Sequence, residues 1–155
     1  MGADAVTLEP GQGRSVALGP TQVSFKVEST RAKGASLIEF TAAPGFDTGA
    51  HIHERLEESF YVLEGELEFQ AGEKTFRAAP GACVFVPPQV PHAFANRTET
   101  PAKLLIVMSP PTHDRYFDEL ATILSAAGPP DGQAIGSLRE RYDTTQLATL
   151  TAGRH

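Results

Sequence analysis

Residues 45–65 read GFDTGAHIHERLEESFYVLEG, and residues 81–96 read GACVFVPPQVPHAFAN. Their fixed points are Gly45-x5-His51-x-His53-x4-Glu58-x6-Gly65 and Gly81-x5-Pro87-x4-His92-x3-Asn96. Imidazole nitrogen and carboxylate oxygen are donors that suit Zn, Fe, Ni, Mn or Cu. His51, His53, Glu58 and His92 are therefore candidate ligands of one divalent transition ion. His51 and His53 stand two apart, so on a strand they share a face and can reach the same ion. Glu58 follows across a short bend. His92 opens another strand after a proline-rich turn.

Outward from these stretches, the chain from about Thr21 to Met108 is a succession of short β-like runs. Val23–Val27 alternates apolar and polar, the period of a half-buried strand. Ser36–Phe40, Ser59–Leu63, Glu66–Phe69, Lys74–Arg77, Cys83–Val86, His92–Ala95 and Lys103–Met108 continue the series, and Glu64-Gly65 reads as a tight hairpin turn. Fourteen glycines and twelve prolines supply the punctuation that such short strands need. The pattern indicates an all-β sandwich or barrel rather than a βαβ fold. A barrel brings distant strands together, and its interior is where a small-ligand site belongs.

The tail changes period. Tyr116, Phe117, Leu120, Ile123, Leu124 and Ala127 recur at helical spacing, and Gly128-Pro129-Pro130 ends that helix. A second, weaker helix is expected from about Gln133 to Tyr142, and Thr151 to His155 read as frayed. His113 and His155 fall outside the two spaced patterns and read as surface or satisfied core residues. Cys83 reads as a small buried hydrophobe in an apolar strand.

A length of 155 residues suits one domain, with a barrel over about 21–109 and a helical tail over about 112–142. A net charge of −6 leaves no basic footprint for nucleic acid. No apolar run approaches the roughly 20 residues that span a bilayer. The first ten residues lack the basic and apolar regions of an export signal, which points to the cytoplasm. A single cysteine cannot form an internal disulfide or a thiolate zinc site.

The two spaced patterns resemble the two motifs of the cupin superfamily, and the flanking strands extend the likeness over most of the chain. One position departs: Gln89 stands two residues after Pro87, where the second motif usually has a glycine, which tolerates positive φ. The resemblance implies a double-stranded β-helix, a small jelly-roll barrel with the metal inside its wider end. It implies His51, His53, Glu58 and His92 as the ligands, and a homodimer formed through edge strands such as Val6–Leu8 or the strand from Thr21. The helical tail is an addition to the minimal barrel, either packed outside or covering the mouth.

The resemblance is strongest to small cupins likened to quercetin dioxygenases. On that reading an oxidoreductase of the dioxygenase type binds substrate and O2 at two open positions of the metal, and Glu58 doubles as a base. Strand parity places Phe60, Val62 and Phe94 on the pocket wall, and Phe85 is added to them as a further wall residue. Tyr61 falls on the opposite face. Two other readings share the same ligands. One is a zinc-dependent, redox-neutral cyclase or isomerase, in which the ion polarises a carbonyl. The other is a barrel that binds a small molecule without turning it over.

Overall fold

A computed structural model describes residues 4–147. In chain order the elements are β1 (Arg14–Leu18), β2 (Thr21–Val27), β3 (Ser36–Ala42), β4 (His51–Ile52), β5 (Glu57–Glu64), β6 (Leu67–Ala71) and β7 (Lys74–Ala78). Then come β8 (Cys83–Val86), β9 (His92–Ala95), β10 (Ala102–Ser109), α1 (Asp114–Ser125), α2 (Gly132–Arg141) and β11 (Thr145–Gln146). The strands form two antiparallel sheets, one ordered β1-β2-β3-β10-β5-β8 and the other β11-β4-β9-β6-β7. Their inner faces enclose one core, the jelly-roll arrangement expected from the sequence. Among the described residues no helix is long and apolar enough to cross a membrane.

The alternation that predicted strands also decides what points inward. In β3, Ser36, Ile38, Phe40 and Ala42 are buried, and in β10 Ala102, Leu104, Ile106 and Met108 are. In β5 the buried set is Glu58, Phe60 and Val62. Register stacks these residues in rows: Ile106 faces Ile38 on one side and Phe60 on the other, while Met108 lies opposite Glu58. Glu58 therefore enters the barrel because it has the parity of Phe60 and Val62.

Four expectations are corrected. Glu64-Gly65 is not a hairpin turn, because β5 and β6 belong to different sheets and the chain crosses between them at this point. Gly65 has φ 73, and a Cβ there would lie 2.8 Å from the Pro101 carbonyl oxygen and 2.9 Å from Ala102 Cα. Gly65→Ala is thus expected to destabilise the chain by about 2 kcal/mol or more, from left-handed strain plus a backbone clash. Urea unfolding checks this, and an unchanged midpoint would contradict the crossover geometry.

Cys83 is exposed rather than buried, because β8 is an edge strand on which Val84 and Val86 take the inward positions. Phe85 shares the outward parity of Cys83 and is 55% exposed. Paired with Ser59 on the outer face, it does not belong to the pocket wall. The segment Val6–Leu8 forms no strand, and Val6 and Leu8 are both exposed. Both helices form close to where their periodicity placed them. His155 and the stretch from Thr151 lie outside the described residues.

Candidate metal centre

The four spaced residues converge. One ligand atom from each of His51, His53, Glu58 and His92 lies within 4.8 Å of the other three, and all four side chains are buried. An ion with bonds of about 2.0–2.2 Å sets its ligand atoms roughly 3–4.4 Å apart, so the cluster has the dimensions of a single site. His51 on β4 is directly opposite His92 on β9, which sets their rings 4.3 Å apart. His53 lies just past β4, with its ring 5.0 Å from His51 and 5.1 Å from His92. Glu58 reaches across from the other sheet.

The imidazoles are oriented by their backbone partners. His51 Nδ1–H donates to the Gly49 carbonyl at 2.8 Å, and His92 Nδ1–H donates to the Val90 carbonyl at 2.9 Å. His53 Nδ1–H donates to the Asp143 carbonyl at 2.9 Å. A carbonyl only accepts, so in all three rings the proton sits on Nδ1 and the Nε2 lone pair is left for an ion. His53 Nε2 is buried with no hydrogen-bond partner of its own. It lies 3.4 Å from Glu58 Oε2, and His92 Nε2 lies 2.8 Å from the same oxygen. Donors gathered this closely in a dry interior need a proton or a cation among them.

Electrostatics agree. Burial pushes His51 well below the ordinary histidine range, helped by His92 and His53, so its ring is neutral, the form that can serve as a ligand. Burial opposes ionisation of Glu58, yet His53 and His92 outweigh it and hold the carboxyl well below its usual range. Burial also opposes charge on His53, but Glu58 prevails and raises its pKa. A carboxylate held ionised in this way is suited to ligation, and it is a poor proton acceptor while its imidazole contacts last.

The tail supplies what the two motifs lack. β11 pairs with β4, setting Gln146 opposite His51, so the chain after α2 returns to the ligand strand. Asp143, at φ 53, accepts the backbone N–H groups of Glu54 and Arg55 at 2.9 Å and of Leu56 at 3.0 Å. It thereby fixes the bend between His53 and Glu58. Thr144 Oγ1 sits 3.1 Å from His53 Nδ1. Gln89 takes φ 68 in place of the glycine, a conformation that costs a non-glycine residue about 1–2 kcal/mol. Its N–H donates to the His53 carbonyl at 2.7 Å, so the turn keeps its shape and ties the second motif to the first. Outer partners of metal ligands typically contribute about 10–100-fold in affinity. Asp143→Ala is accordingly expected to weaken metal binding about tenfold, read by competition with a chelating dye; unchanged affinity would remove Asp143 from the site.

The pocket above the quartet is mostly apolar, and the helices form part of its wall. Phe40, Phe46, Phe60 and Phe94 line it from the barrel, while Tyr116, Phe117, Leu120 and Ile135 line it from the helical tail. The tail therefore covers the barrel mouth instead of packing outside. Of the wall residues expected from sequence, Phe60 and Phe94 line this pocket. Val62 is fully buried in the core beneath it. Tyr61 points outward and is 47% exposed.

The sequence reading places neither His113 nor Arg139 in this pocket. His113 is buried at the start of α1, stacked on Tyr116 at 4.7 Å and 5.2 Å from the ring of His53. Arg139 lines the pocket from α2. No local pattern marks either residue, since both reach the site through a helix docked on the barrel. Burial pushes the His113 pKa down to about 4. A histidine depressed in the folded state is protonated first in the unfolded chain. Its contribution is complete above pH 6.5 and is lost as pH falls from 6.5 towards 4, up to about 3 kcal/mol. His113→Phe should therefore flatten the acid limb of stability in that window, and an unaltered slope would contradict the burial argument.

The comparisons with known proteins bear on fold and family. The family model for the cupin domain matches residues 38–108. Protein MJ1618 of Methanocaldococcus jannaschii is 33% identical over 76 residues, 49% of this chain and 61% of that protein. A mannose-1-phosphate guanylyltransferase of Salmonella typhimurium, RfbM, is 33% identical over 69 residues, 44% of this chain but 14% of the enzyme. The chain thus spans less than two thirds of either relative. Among solved structures, KdgF from a Halomonas species superposes with TM-score 0.65 at 18% identity, over 72% of this chain and 99% of that one. The polyketide cyclase RemF from Streptomyces resistomycificus gives 0.61 at 23% identity, over 68% and 80%. At these identities the superpositions speak for the fold alone, but the matched segment spans both spaced motifs and all four buried ligands. Residues 38–108 match the cupin domain, and the barrel to which they belong carries a helical C-terminal addition.

Proposed function

We propose that this cupin is a metal-dependent enzyme for a small, largely aromatic organic molecule, with redox-neutral chemistry of the cyclase or isomerase type. The observation that carries the reading is the pairing of a three-histidine, one-glutamate cluster with a separate imidazole, His113, in one aromatic-walled pocket. His51, His53, Glu58 and His92 would hold a divalent ion, which when bound would supply Lewis-acid polarisation of a carbonyl or phenolic oxygen. The chain's own groups do the rest. Phe46, Phe94 and Phe117 pack against the flat faces of the substrate, and the helical tail keeps water out. His113, buried and neutral, is placed to accept a hydrogen bond or a proton from substrate. The polyketide cyclase RemF, similar in fold, supports such a substrate class for a barrel of this kind.

Dioxygenase chemistry rests on the same ligands, and one experiment separates the two. Protein loaded in turn with zinc and iron is given aromatic β-diketones in D2O, then catechol- and flavonol-like compounds with O2 uptake monitored. The proposal expects zinc-supported deuterium exchange beside the carbonyl and no O2 consumption. O2 uptake with iron, and no exchange with zinc, would replace it with the oxygenase reading. We also propose that two copies associate through the outer face of the larger sheet, where the exposed Tyr61, Phe85 and Val107 surround Ser59. Light scattering checks this, with Phe85→Arg expected to leave monomers.

A further inference from the structure

Arg139 is the one buried arginine or lysine among the described residues, 7% exposed, and it lines the same pocket as His51, His53 and Glu58. Its Nε–H donates to Tyr116 Oη at 3.2 Å, and one Nη2–H donates to the Thr48 carbonyl at 3.1 Å. Nη1 is buried with no partner. A guanidinium offers five N–H donors, and here a whole amino group is left over. No carboxylate among the described residues lies within ion-pair distance of it. Asp47 lines the same pocket, but its carboxylate is held by Arg97 at 2.8 Å and by the Gly49 N–H at 2.9 Å. Residues 1–3 and 148–155 contain neither aspartate nor glutamate.

That arrangement is unusual for a structural arginine. Arg14, Arg77, Arg97 and Arg141, each at the surface, have acidic partners, and Arg31, Arg55 and Arg115, which have no ion pair among the described residues, are exposed to water. A buried cation is costly unless paired, and desolvation with an unmet donor adds to the cost. Tyr116 and the Thr48 carbonyl fix the fork without neutralising it. We infer that Arg139 is the anion-binding residue of the pocket, taking a carboxylate of the substrate while the opposite part of that molecule faces the metal ligands. A carboxylate matches the planar guanidinium fork in shape and charge. The substrate class of the reaction proposed above then narrows to aromatic or polyketide-like acids, and the inference rests on that reading for its role in turnover but not for binding.

The test uses binding alone. Calorimetry compares 3-phenylpropanoate with its neutral amide, 3-phenylpropanamide, on the protein as purified and after removal of metal by chelator. Wild type is expected to prefer the carboxylate by about tenfold or more in both forms, the range of one charge-assisted pair. Arg139→Met should abolish the preference while leaving metal content unchanged, and Arg139→Lys should keep part of it. If Arg139→Met does not fold, the chelator-treated wild type and Arg139→Lys still decide. Absence of a preference in chelator-treated wild type overturns the inference, as does a preference that survives in Arg139→Met. Failure of the metal reading shows separately, as wild-type protein that binds no ion yet still selects the acid.

Discussion

His53→Ala is expected to weaken binding of a divalent transition ion by about 100-fold or more. Four-ligand zinc sites bind with about 10–16 kcal/mol, so one ligand in four carries about 3 kcal/mol, which corresponds to that factor. His53 is the most informative ligand to remove. Its Nε2 is buried without a hydrogen-bond partner, 3.4 Å from Glu58 Oε2, and its Nδ1 is fixed by Asp143 and Thr144, so the ring is held with its outward nitrogen towards the cluster. Titration with a chelating dye reads the affinity, and thermal unfolding of the metal-free variant separates loss of site from loss of fold. An affinity within about threefold of wild type would exclude His53 from the shell.

Phe40→Ala is expected to cost about 3–5 kcal/mol of stability, the range for deleting a buried phenylalanine. Phe40 is 1% exposed and makes edge contacts with Phe46 at 5.1 Å, Phe94 at 5.4 Å and Phe117 at 6.1 Å. It links the larger sheet to the strands and loops that carry the ligands, and it also meets α1. Its loss enlarges the pocket and loosens the helix that carries His113. Urea unfolding should show a lower midpoint, and hydrogen exchange should rise in α1 as well as in β3. A cost below about 1 kcal/mol would mean that the helix is docked by other contacts.

Much of this was legible locally. The strands of the barrel announce themselves by period, and Glu58 inherits its inward direction from Phe60 and Val62. The two histidines at i and i+2 needed no tertiary information to be placed on one ion. Contacts between distant segments were not legible. Gly65 looked like a hairpin turn because a tight turn and a crossover between sheets both call for positive φ; only the pairing of β5 with β10 and β8 distinguishes them. Phe85 and Cys83 misled because apolar character was read without its parity, on a strand whose inward positions belong to Val84 and Val86. Asp143, Thr144, Arg139 and His113 sit 60 or more residues from the nearest of His51 and His53, on a tail that periodicity identified as helical but could not dock. Gln89 shows the opposite case. The missing glycine suggested a changed turn, yet the residue adopts φ 68 and the turn persists.

The central claim is that His51, His53, Glu58 and His92 hold one ion. Elemental analysis of protein made without a metal-binding tag tests it most directly, with the wild type set beside a triple variant carrying His51→Ala, His53→Ala and His92→Ala. The account predicts about one equivalent of a divalent transition metal in the wild type and less than about a tenth in the variant. A stoichiometric ion in the triple variant would contradict it, as would a wild type that takes up none of zinc, iron, nickel, manganese or copper.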